Sequence, residues 1–261
     1  MMSTSHLDIQ RHGAVTSVFM DRPAVHNAFD DALIRELTDT FAALDDDDRT
    51  RVVILGGRGK SFSAGADLHW MKSMLGYSIE ENRRDSEAAA RMFLTIDRCS
   101  KPVIGRVHGA ALGGGTGLVA VCDIAIGVPE ARFGFTEVKL GIIPAVISPY
   151  VVRRIGATHA RELFLTGERF DGARAQAIGL LDHVVPPAAL DGAIERVVER
   201  LRSSGPGAMA AIKDLIRRVA GRDPEDVLAE TATAIAEARI SPEGQEGMNA
   251  FLDKRSPAFK V

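Results

Sequence analysis

The longest stretch of this sequence without a charged residue covers residues 107–122 and contains the glycine triplet Gly113–Gly115. It is shorter than the roughly 20 apolar residues that a membrane-spanning helix needs. The run before it, 102–107, is rich in β-branched residues and predicts a buried strand. The residues after the triplet, up to Cys122, are compatible with a helix. The sequence therefore predicts a buried strand that leads through a glycine turn into a helix, as in an α/β protein.

Strands and helices alternate through the first part of the chain. Behind Asp30 and Asp31, which can cap a helix, apolar residues recur at helical spacing, namely Leu33, Ile34, Leu37, Phe41 and Leu44. Further strands are predicted over 14–20, 51–55, 124–127 and 132–135. From His159 onward, helices are predicted over 161–165, 173–178, 190–201, 209–219, 225–240 and 243–254. The chain thus divides into an α/β core, residues 1–200, and a helical C-terminal region, residues 201–261.

Charge and cysteine content exclude several classes of protein. Lys and Arg number 32 against 35 Asp and Glu, giving a net charge of −3, whereas nucleic-acid-binding proteins usually present a strongly basic face. Residues 1–11 lack the apolar core of a signal peptide. Cys99 and Cys122 lie far from any Cys or His at ligand spacing, which argues against a disulfide framework and a zinc site. We expect a cytoplasmic, enzyme-sized domain that binds neither nucleic acid, membrane nor metal.

Two segments of small residues follow predicted strands in the same half of the chain. They are residues 60–68 and the glycine triplet, and the backbone N–H is the main donor such residues offer a ligand. At Gly114 the N–H groups would open a helix, where they are unpaired and favour negative charge. A second N–H from Ala64 to Ala66 would complete a two-donor hole for a carbonyl oxygen that becomes an enolate. The alternative is that these glycines only permit close packing of strand and helix.

The residues of these two segments are similar to the crotonase (enoyl-CoA hydratase/isomerase) superfamily. The matching runs are FSAGADL at 62–68, IGRVHGAALGGG at 104–115 with Cys122-Asp123, FGFTE at 133–137, RPAVHNA at 22–28 and EGMNAF at 246–251 with Lys254. The resemblance covers nearly the whole chain in the same order. It implies an α/β fold, a crotonase-like spiral of ββα units with a C-terminal helical region for oligomerisation. It also implies a homotrimer or hexamer and an acyl-CoA thioester as substrate, with coenzyme A as part of that substrate and no separate cofactor.

The resemblance also implies a set of site residues. The N–H groups of Ala66 and Gly114 would hold the thioester oxygen. The coenzyme site would be lined by Ala24, His26, Ala64, Gly65, Asp67 and Leu68. Phe251 and Lys254, from a neighbouring subunit, would lie near the 3′-phosphate. The family often has a basic residue at the position of Ala24, so this chain lacks one phosphate contact there.

Hydratases of this family use two glutamates, and this chain keeps one of them. The first position is Gly117 here, and the second is Glu137. This departure is compatible with lost hydratase chemistry, with a single-carboxylate isomerase, or with a branch that hydrates differently. The residues around Gly117, together with 122–127 and 137–149, resemble bacterial methylglutaconyl-CoA hydratases of leucine breakdown, which favours the last alternative.

A lone carboxylate can serve both proton transfers of hydration, since it can take a proton from water and return one to Cα on the same face. Glu137 follows Phe133 and Phe135, and an apolar setting would raise its pKa. Without the resemblance, Glu137 would be interpreted as a surface residue at a strand end, because carboxylates with a perturbed pKa are the minority. In extended backbone Lys139 would share a face with Glu137 and could pair with a distal carboxylate of the substrate.

Three functions remain open on the sequence. The first is an enoyl-CoA hydratase acting on a 2-enoyl-CoA, with 3-methylglutaconyl-CoA as a candidate. The second is a Δ3–Δ2 enoyl-CoA isomerase that uses the single glutamate. The third is a non-catalytic acyl-CoA-binding protein, against which the retained Glu137 argues.

Overall fold

A six-stranded sheet forms the centre of the molecule in the computed structural model, which describes residues 5–260. Met1–Thr4, part of the segment considered above for a signal peptide, and Val261 lie outside the described residues. The strand order is β1-β2-β3-β4-β6-β9. The hairpin β1–β2 is antiparallel and every other pair is parallel. The strands are β1 (Leu7–His12), β2 (Val15–Met20), β3 (Val52–Gly57), β4 (Val103–Val107), β6 (Ile124–Gly127) and β9 (His183–Val184).

A second, three-stranded sheet lies beside the first and carries the predicted catalytic segments. Its strands are β5 (Ala110–Leu112), β7 (Arg132–Gly134) and β8 (Arg169–Asp171), in the order β5-β7-β8. Strands β5 and β7 are parallel, while β7 and β8 are antiparallel. Phe133 on β7 stacks on Phe170 of β8, with ring centroids 5.6 Å apart, and both side chains are buried. The apolar face of this small sheet therefore belongs to the core.

Ten helices complete the described part of the chain. Their bounds are α1 (Asp31–Asp45), α2 (Leu68–Ser73), α3 (Ile79–Arg98), α4 (Gly114–Val121), α5 (Ser148–Thr166), α6 (Gly172–Ala177), α7 (Leu190–Arg202), α8 (Pro206–Val219), α9 (Pro224–Ile240) and α10 (Pro242–Leu252). Helix α1 confirms its predicted cap, because the Asp30 side chain accepts from Leu33 N at 2.8 Å. All five residues of its predicted apolar stripe are buried.

Helix α3 is the largest element that the sequence patterns did not predict. Its first half is polar, and its buried apolar residues, Met92, Phe93 and Ile96, fall near its C-terminal end. A capping box between Ser78 and Glu81 begins it, and this S-x-x-E pattern was the available signal. The structure also adds β1, β8 and β9, and it extends the helix predicted over 161–165 back to Ser148.

The C-terminal helices dock on the core through a few polar contacts. Lys213 Nζ on α8 lies 2.5 Å from Asp123 Oδ2 and donates to Lys101 O at 3.1 Å. Arg51 donates to Ser204 O and Phe259 O, both at 2.5 Å. The predicted boundary at 200/201 falls inside α7, and the division of the chain into a core and a helical C-terminal region stays a prediction. None of the helices within residues 5–260 combines the length and apolar character needed to cross a membrane.

Candidate active site

The two small-residue segments lie side by side, held by hydrogen bonds between their backbones. Phe62 N donates to His108 O at 2.9 Å, and Ser63 N donates to Ala110 O at 3.0 Å. Leu112 N returns a bond to Ser63 O at 3.0 Å. A Cβ atom placed on Gly65 would lie 3.6 Å from the Gly114 nitrogen. The predicted proximity of the two segments is therefore present in the fold.

Neither the Ala66 N–H nor the Gly114 N–H donates a hydrogen bond to any other residue within 5–260. Phe29 accounts for the first: it donates to Gly65 O at 2.7 Å and accepts from Asp67 N at 2.8 Å, which leaves the Ala66 N–H free. Gly114 is the first residue of α4, so its N–H has no partner within the helix. Two free donors on adjoining segments, one of them at a helix N-terminus, favour an oxygen that develops negative charge.

Two buried polar side chains hold the segment that carries Ala66. Asn27 donates through Nδ2 to Arg58 O at 2.9 Å and to Ser61 O at 2.8 Å, and Ser63 Oγ donates to Asn27 O at 2.8 Å. Asn27 adopts a left-handed backbone, with φ of 55°, which asparagine tolerates better than most residues. The sequence patterns gave Asn27 no role of its own.

The Asp67 carboxylate is used inside the fold. It caps α2 by accepting from His69 N at 2.8 Å, and it lies 3.3 Å from the Arg22 guanidinium. Burial opposes the ionisation of Asp67, but the amides of His69 and Trp70 and the charge of Arg22 outweigh it and hold its pKa below the ordinary value. Asp67 thus fixes the chain direction directly after Ala66.

Glu137 lies against the glycine triplet. It sits in a 3-10 turn, Thr136–Leu140, directly after β7. Its Oε1 would be 3.1 Å from a Cβ on Gly113, and the φ of 51° at this position is one that favours glycine. Its Oε2 is buried and has no hydrogen-bond partner among the described residues. Burial raises the pKa of the carboxyl group. A half-buried carboxylate that is unpaired through Oε2 and lies next to the segment with the free Gly114 amide is suited to general acid–base chemistry.

The position of the missing glutamate is filled by apolar atoms. Gly117 lies one helical turn after Gly113, and a Cβ on Gly117 would overlap Ile147 Cγ2. The same atom would lie 2.9 Å from Ile147 Cβ and 3.1 Å from Phe93 Cε1. Ile147 and Phe93 are both buried. The helix face that carries Gly113 and Gly117 therefore meets a carboxylate at the first turn and an aliphatic side chain at the next.

Comparison with known proteins agrees with this geometry. The sequence model of the family described as "Enoyl-CoA hydratase/isomerase" matches residues 10–261. A relative named "Putative enoyl-CoA hydratase" from Thermus thermophilus is 34% identical over 95% of this chain and 98% of its own length. A relative named "Crotonyl-CoA hydratase" from Syntrophomonas wolfei is 31% identical over 99% of each chain.

Solved structures give the same result. A crystal structure of a putative enoyl-CoA hydratase/isomerase (crotonase) from Legionella pneumophila superposes with a TM-score of 0.92 at 43% identity, covering 98% of this chain and 100% of the other. Pseudomonas aeruginosa AtuE superposes with a TM-score of 0.94 at 36% identity, with the same coverage. The chain belongs to the enoyl-CoA hydratase/isomerase family. The predicted crotonase-like fold and the predicted enzyme class are confirmed.

The coenzyme-site residues predicted from the family fall into two groups. Ala24, His26 and Leu68 are exposed, and His26 is joined to the Ala66 segment because its carbonyl accepts from Ala64 N at 2.9 Å. Phe251 in α10 and Lys254, which follows the end of α10, are also exposed. Within the described chain, no hydrogen bond or ion pair joins either of them to residues 61–68 or 113–117. Their role in coenzyme binding stays a prediction.

The prediction that Lys139 lies in extended backbone, on the same face as Glu137, is wrong. The residues around it form a 3-10 turn rather than extended backbone, so the side chains of Glu137 and Lys139 point about 120° apart around the axis of the turn. Lys139 is exposed, and its Cγ and Cε would each lie 3.1 Å from a Cβ on Gly167. The turn ends at Gly141, which has a left-handed φ of 72°.

Within residues 5–260, no group of three or more His, Cys, Asp or Glu side chains is arranged so that it could hold a metal ion.

The filled space beside Gly117 makes a first prediction. Gly117→Glu will not create a two-carboxylate site, because the new side chain overlaps Ile147, and overpacking of this kind costs about 1–3 kcal/mol or more. We expect a lower Tm in thermal unfolding and no gain in kcat. Gly117→Glu combined with Ile147→Ala relieves the overlap and should recover part of the lost stability. A Gly117→Glu variant with the wild-type Tm would contradict the packing described here.

Proposed function

We propose that this protein is an enoyl-CoA hydratase that adds water to a 2-enoyl-CoA thioester with one carboxylate. The observation that carries the proposal is the half-buried Glu137 carboxylate, whose buried Oε2 is unpaired, against the segment whose Gly114 amide is free. Burying a carboxylate without a partner is costly, and such an arrangement is most often found where function needs it. This argues against the third alternative, a non-catalytic acyl-CoA-binding protein.

In this mechanism the thioester oxygen accepts hydrogen bonds from Ala66 N and Gly114 N. These bonds draw electron density from the conjugated double bond and make Cβ electrophilic. The Glu137 carboxylate takes a proton from water as the water oxygen bonds to Cβ, and the electron pair moves to the thioester oxygen as an enolate. The Glu137 carboxylic acid then protonates Cα, the enolate returns to the thioester, and the carboxylate is regenerated.

A second candidate, a Δ3–Δ2 enoyl-CoA isomerase, is favoured by the single carboxylate. Glu137 would take a proton from Cα of a 3-enoyl-CoA, which gives a dienolate held by the same two amides, and return the proton at Cγ. A relative from Arabidopsis thaliana, 32% identical over 99% of this chain, is named as a peroxisomal Δ3,5–Δ2,4-dienoyl-CoA isomerase. Both reactions use the same two amides, and they differ in whether water is incorporated.

The hydratase proposal is tested with crotonyl-CoA in 18O-labelled water. We expect the wild type to form 3-hydroxybutyryl-CoA that carries the label. Glu137→Gln removes the acid–base group but keeps its shape, and it should lower kcat by about 10²–10⁴-fold. Turnover of a 3-enoyl-CoA without uptake of label, and none of crotonyl-CoA, would favour the isomerase. Full activity of Glu137→Gln would rule out both.

The raised pKa of Glu137 predicts the pH dependence. Glu137 must be ionised to accept a proton from water, so kcat/KM should rise with pH through an apparent pKa above the ordinary value of a glutamate. The neutral form is favoured in the folded state, so Glu137 adds stability below its unfolded pKa and loses it as pH rises through its folded pKa.

Glu137→Gln should therefore raise Tm at pH 7. Because the unfolded-state pKa of glutamate is about 4.3, this gain should vanish below about pH 4. Parallel kcat/KM profiles and thermal melts from pH 4 to pH 8 check both effects. A variant that is less stable than the wild type at pH 7 would contradict the assignment of a destabilised carboxylate.

For the acyl group, we propose 3-methylglutaconyl-CoA. Support comes from the residues that resemble methylglutaconyl-CoA hydratases and from the apolar surface of Ile147 and Phe93 at Gly117, which suits a methyl branch better than a carboxylate would. Kinetics on crotonyl-CoA, 3-methylcrotonyl-CoA and 3-methylglutaconyl-CoA separate the methyl branch from the distal carboxylate.

Lys139→Ala tests the predicted partner of that carboxylate. If Lys139 pairs with it, KM should rise for 3-methylglutaconyl-CoA and stay unchanged for 3-methylcrotonyl-CoA. The orientation of the 3-10 turn favours the other result, which is equal KM values for variant and wild type on both substrates. A selective rise in KM would therefore restore Lys139 as the carboxylate-binding residue.

We also propose that the chain forms a homotrimer or a hexamer. Large apolar side chains are exposed on α8 and α9, namely Ile212, Ile216, Leu228 and Ile235, and the same is true of Phe251 on α10. These three helices contact one another, and exposed apolar side chains on neighbouring helices are typical of an interface between chains. In such an assembly, Phe251 and Lys254 would reach the coenzyme A bound by a neighbouring subunit.

A further inference from the structure

Thr116 lies at the junction between the two backbone segments that carry the proposed catalytic groups. It is fully buried in the first turn of α4. Its Oγ1 lies 2.6 Å from Ala111 O, 3.2 Å from Gly134 O and 3.5 Å from Gly134 N. A hydroxyl has one proton, so the short contact to Ala111 O is the donated bond, and the lone pairs remain available to Gly134 N.

The two residues that Thr116 contacts, Ala111 and Gly134, lie on different segments of the site. Ala111 lies three residues before Gly114, whose amide is free, and it forms a bridge with Ser63 on the segment that carries Ala66. Gly134 lies three residues before Glu137, and its carbonyl accepts from Gly113 N at 2.8 Å. The Thr116 hydroxyl thus connects the amide-bearing segments to the segment that carries the carboxylate.

The distance between the Glu137 carboxylate and the Gly114 amide is set by the backbone of the two segments that carry them. The carboxylate lies against the bare Cα of Gly113, and its Oε2 forms no hydrogen bond within residues 5–260. The distance from carboxylate to amide therefore depends on the backbone register between residues 111–114 and 134–137. That register rests on the pairing of β5 with β7, on the Gly113 N–Gly134 O bond and on the Thr116 hydroxyl, which donates to Ala111 O and accepts from Gly134 N.

We infer that Thr116 is a positioning residue, which sets the separation between the Gly114 amide and the Glu137 carboxylate through its buried hydroxyl. The inference rests on the proposed function, because it concerns the geometry of the same site. A shift of about 1 Å between reacting groups can cost about 10²-fold in rate. Thr116 does not contact the substrate, so loss of its hydroxyl should change kcat rather than substrate binding.

The test compares three variants. Thr116→Val keeps the shape of the side chain and removes the hydroxyl, while Thr116→Ser keeps the hydroxyl. Thr50→Val is the matched control, because Thr50 Oγ1 lies 2.9 Å from Thr16 Oγ1 in another buried hydroxyl pair, outside the site described here. Each is assayed with crotonyl-CoA, and its Tm is recorded.

We expect Thr116→Val to lower kcat about tenfold or more with KM within threefold of the wild type. Thr116→Ser should keep at least half of the wild-type kcat. Thr50→Val should lower Tm but keep the wild-type kcat, which separates loss of stability from loss of positioning. Affinity for acetoacetyl-CoA, whose enolate places negative charge on the oxygen, should fall in Thr116→Val while affinity for butyryl-CoA stays unchanged.

The inference fails if the wild type is active, Glu137→Gln is inactive and Thr116→Val keeps its kcat within twofold. It also fails if Thr50→Val loses as much kcat as Thr116→Val. If Thr116→Val does not fold, Thr116→Ala is held to the same criteria. An inactive wild type would count against the proposed function instead, and the acetoacetyl-CoA and butyryl-CoA affinities would still decide the role of Thr116.

Discussion

The backbone pairing between residues 61–63 and residues 108–112 sets where the two free amides lie. Strands β3 and β4 are parallel neighbours, so the loops that leave them emerge at the same edge of the sheet. Three backbone hydrogen bonds then join these loops, including the reciprocal pair between Ser63 and residues 110 and 112. Because the bonds involve backbone atoms only, small residues can be used on both segments without loss of register. The fold can therefore leave the Ala66 and Gly114 amides exposed to a ligand.

The backbone pairing between these segments supports two features of the site that are unfavourable on their own. Glu137 is buried without a full set of partners, and Asn27 holds a left-handed backbone conformation. Asn27 compensates through its bonds to Arg58 O and Ser61 O. The cost at Glu137 has no such compensation in the described residues, which is the usual relation between a destabilised group and its function.

Local patterns predicted the parts of the molecule that depend on local physics. The stripe of α1, the strand before the glycine triplet and the free amide of Gly114 follow from periodicity, β-branched residues and the helix N-terminus. Helix α3 was missed because only its last turns are apolar. Ile147 could not be predicted beside Gly117, since 30 residues and two strands separate them in sequence. The prediction that Lys139 shares a face with Glu137 was wrong for a different reason. The two residues lie in a 3-10 turn that ends at a glycine two residues after Lys139, and side chains two residues apart share a face only in extended backbone.

A single carboxylate makes a stricter demand on geometry than a pair does. With two glutamates, one can suit the attack of water on Cβ and the other the protonation of Cα. With Glu137 alone, one position relative to the enolate oxygen must serve both atoms on the same face. The apolar packing of Ile147 against Gly117 removes any polar group that could take over one of the steps at that helix face. In the proposed mechanism, the rate therefore depends on the distance between carboxylate and amides, and hence on buried groups such as Thr116 that hold the two segments together.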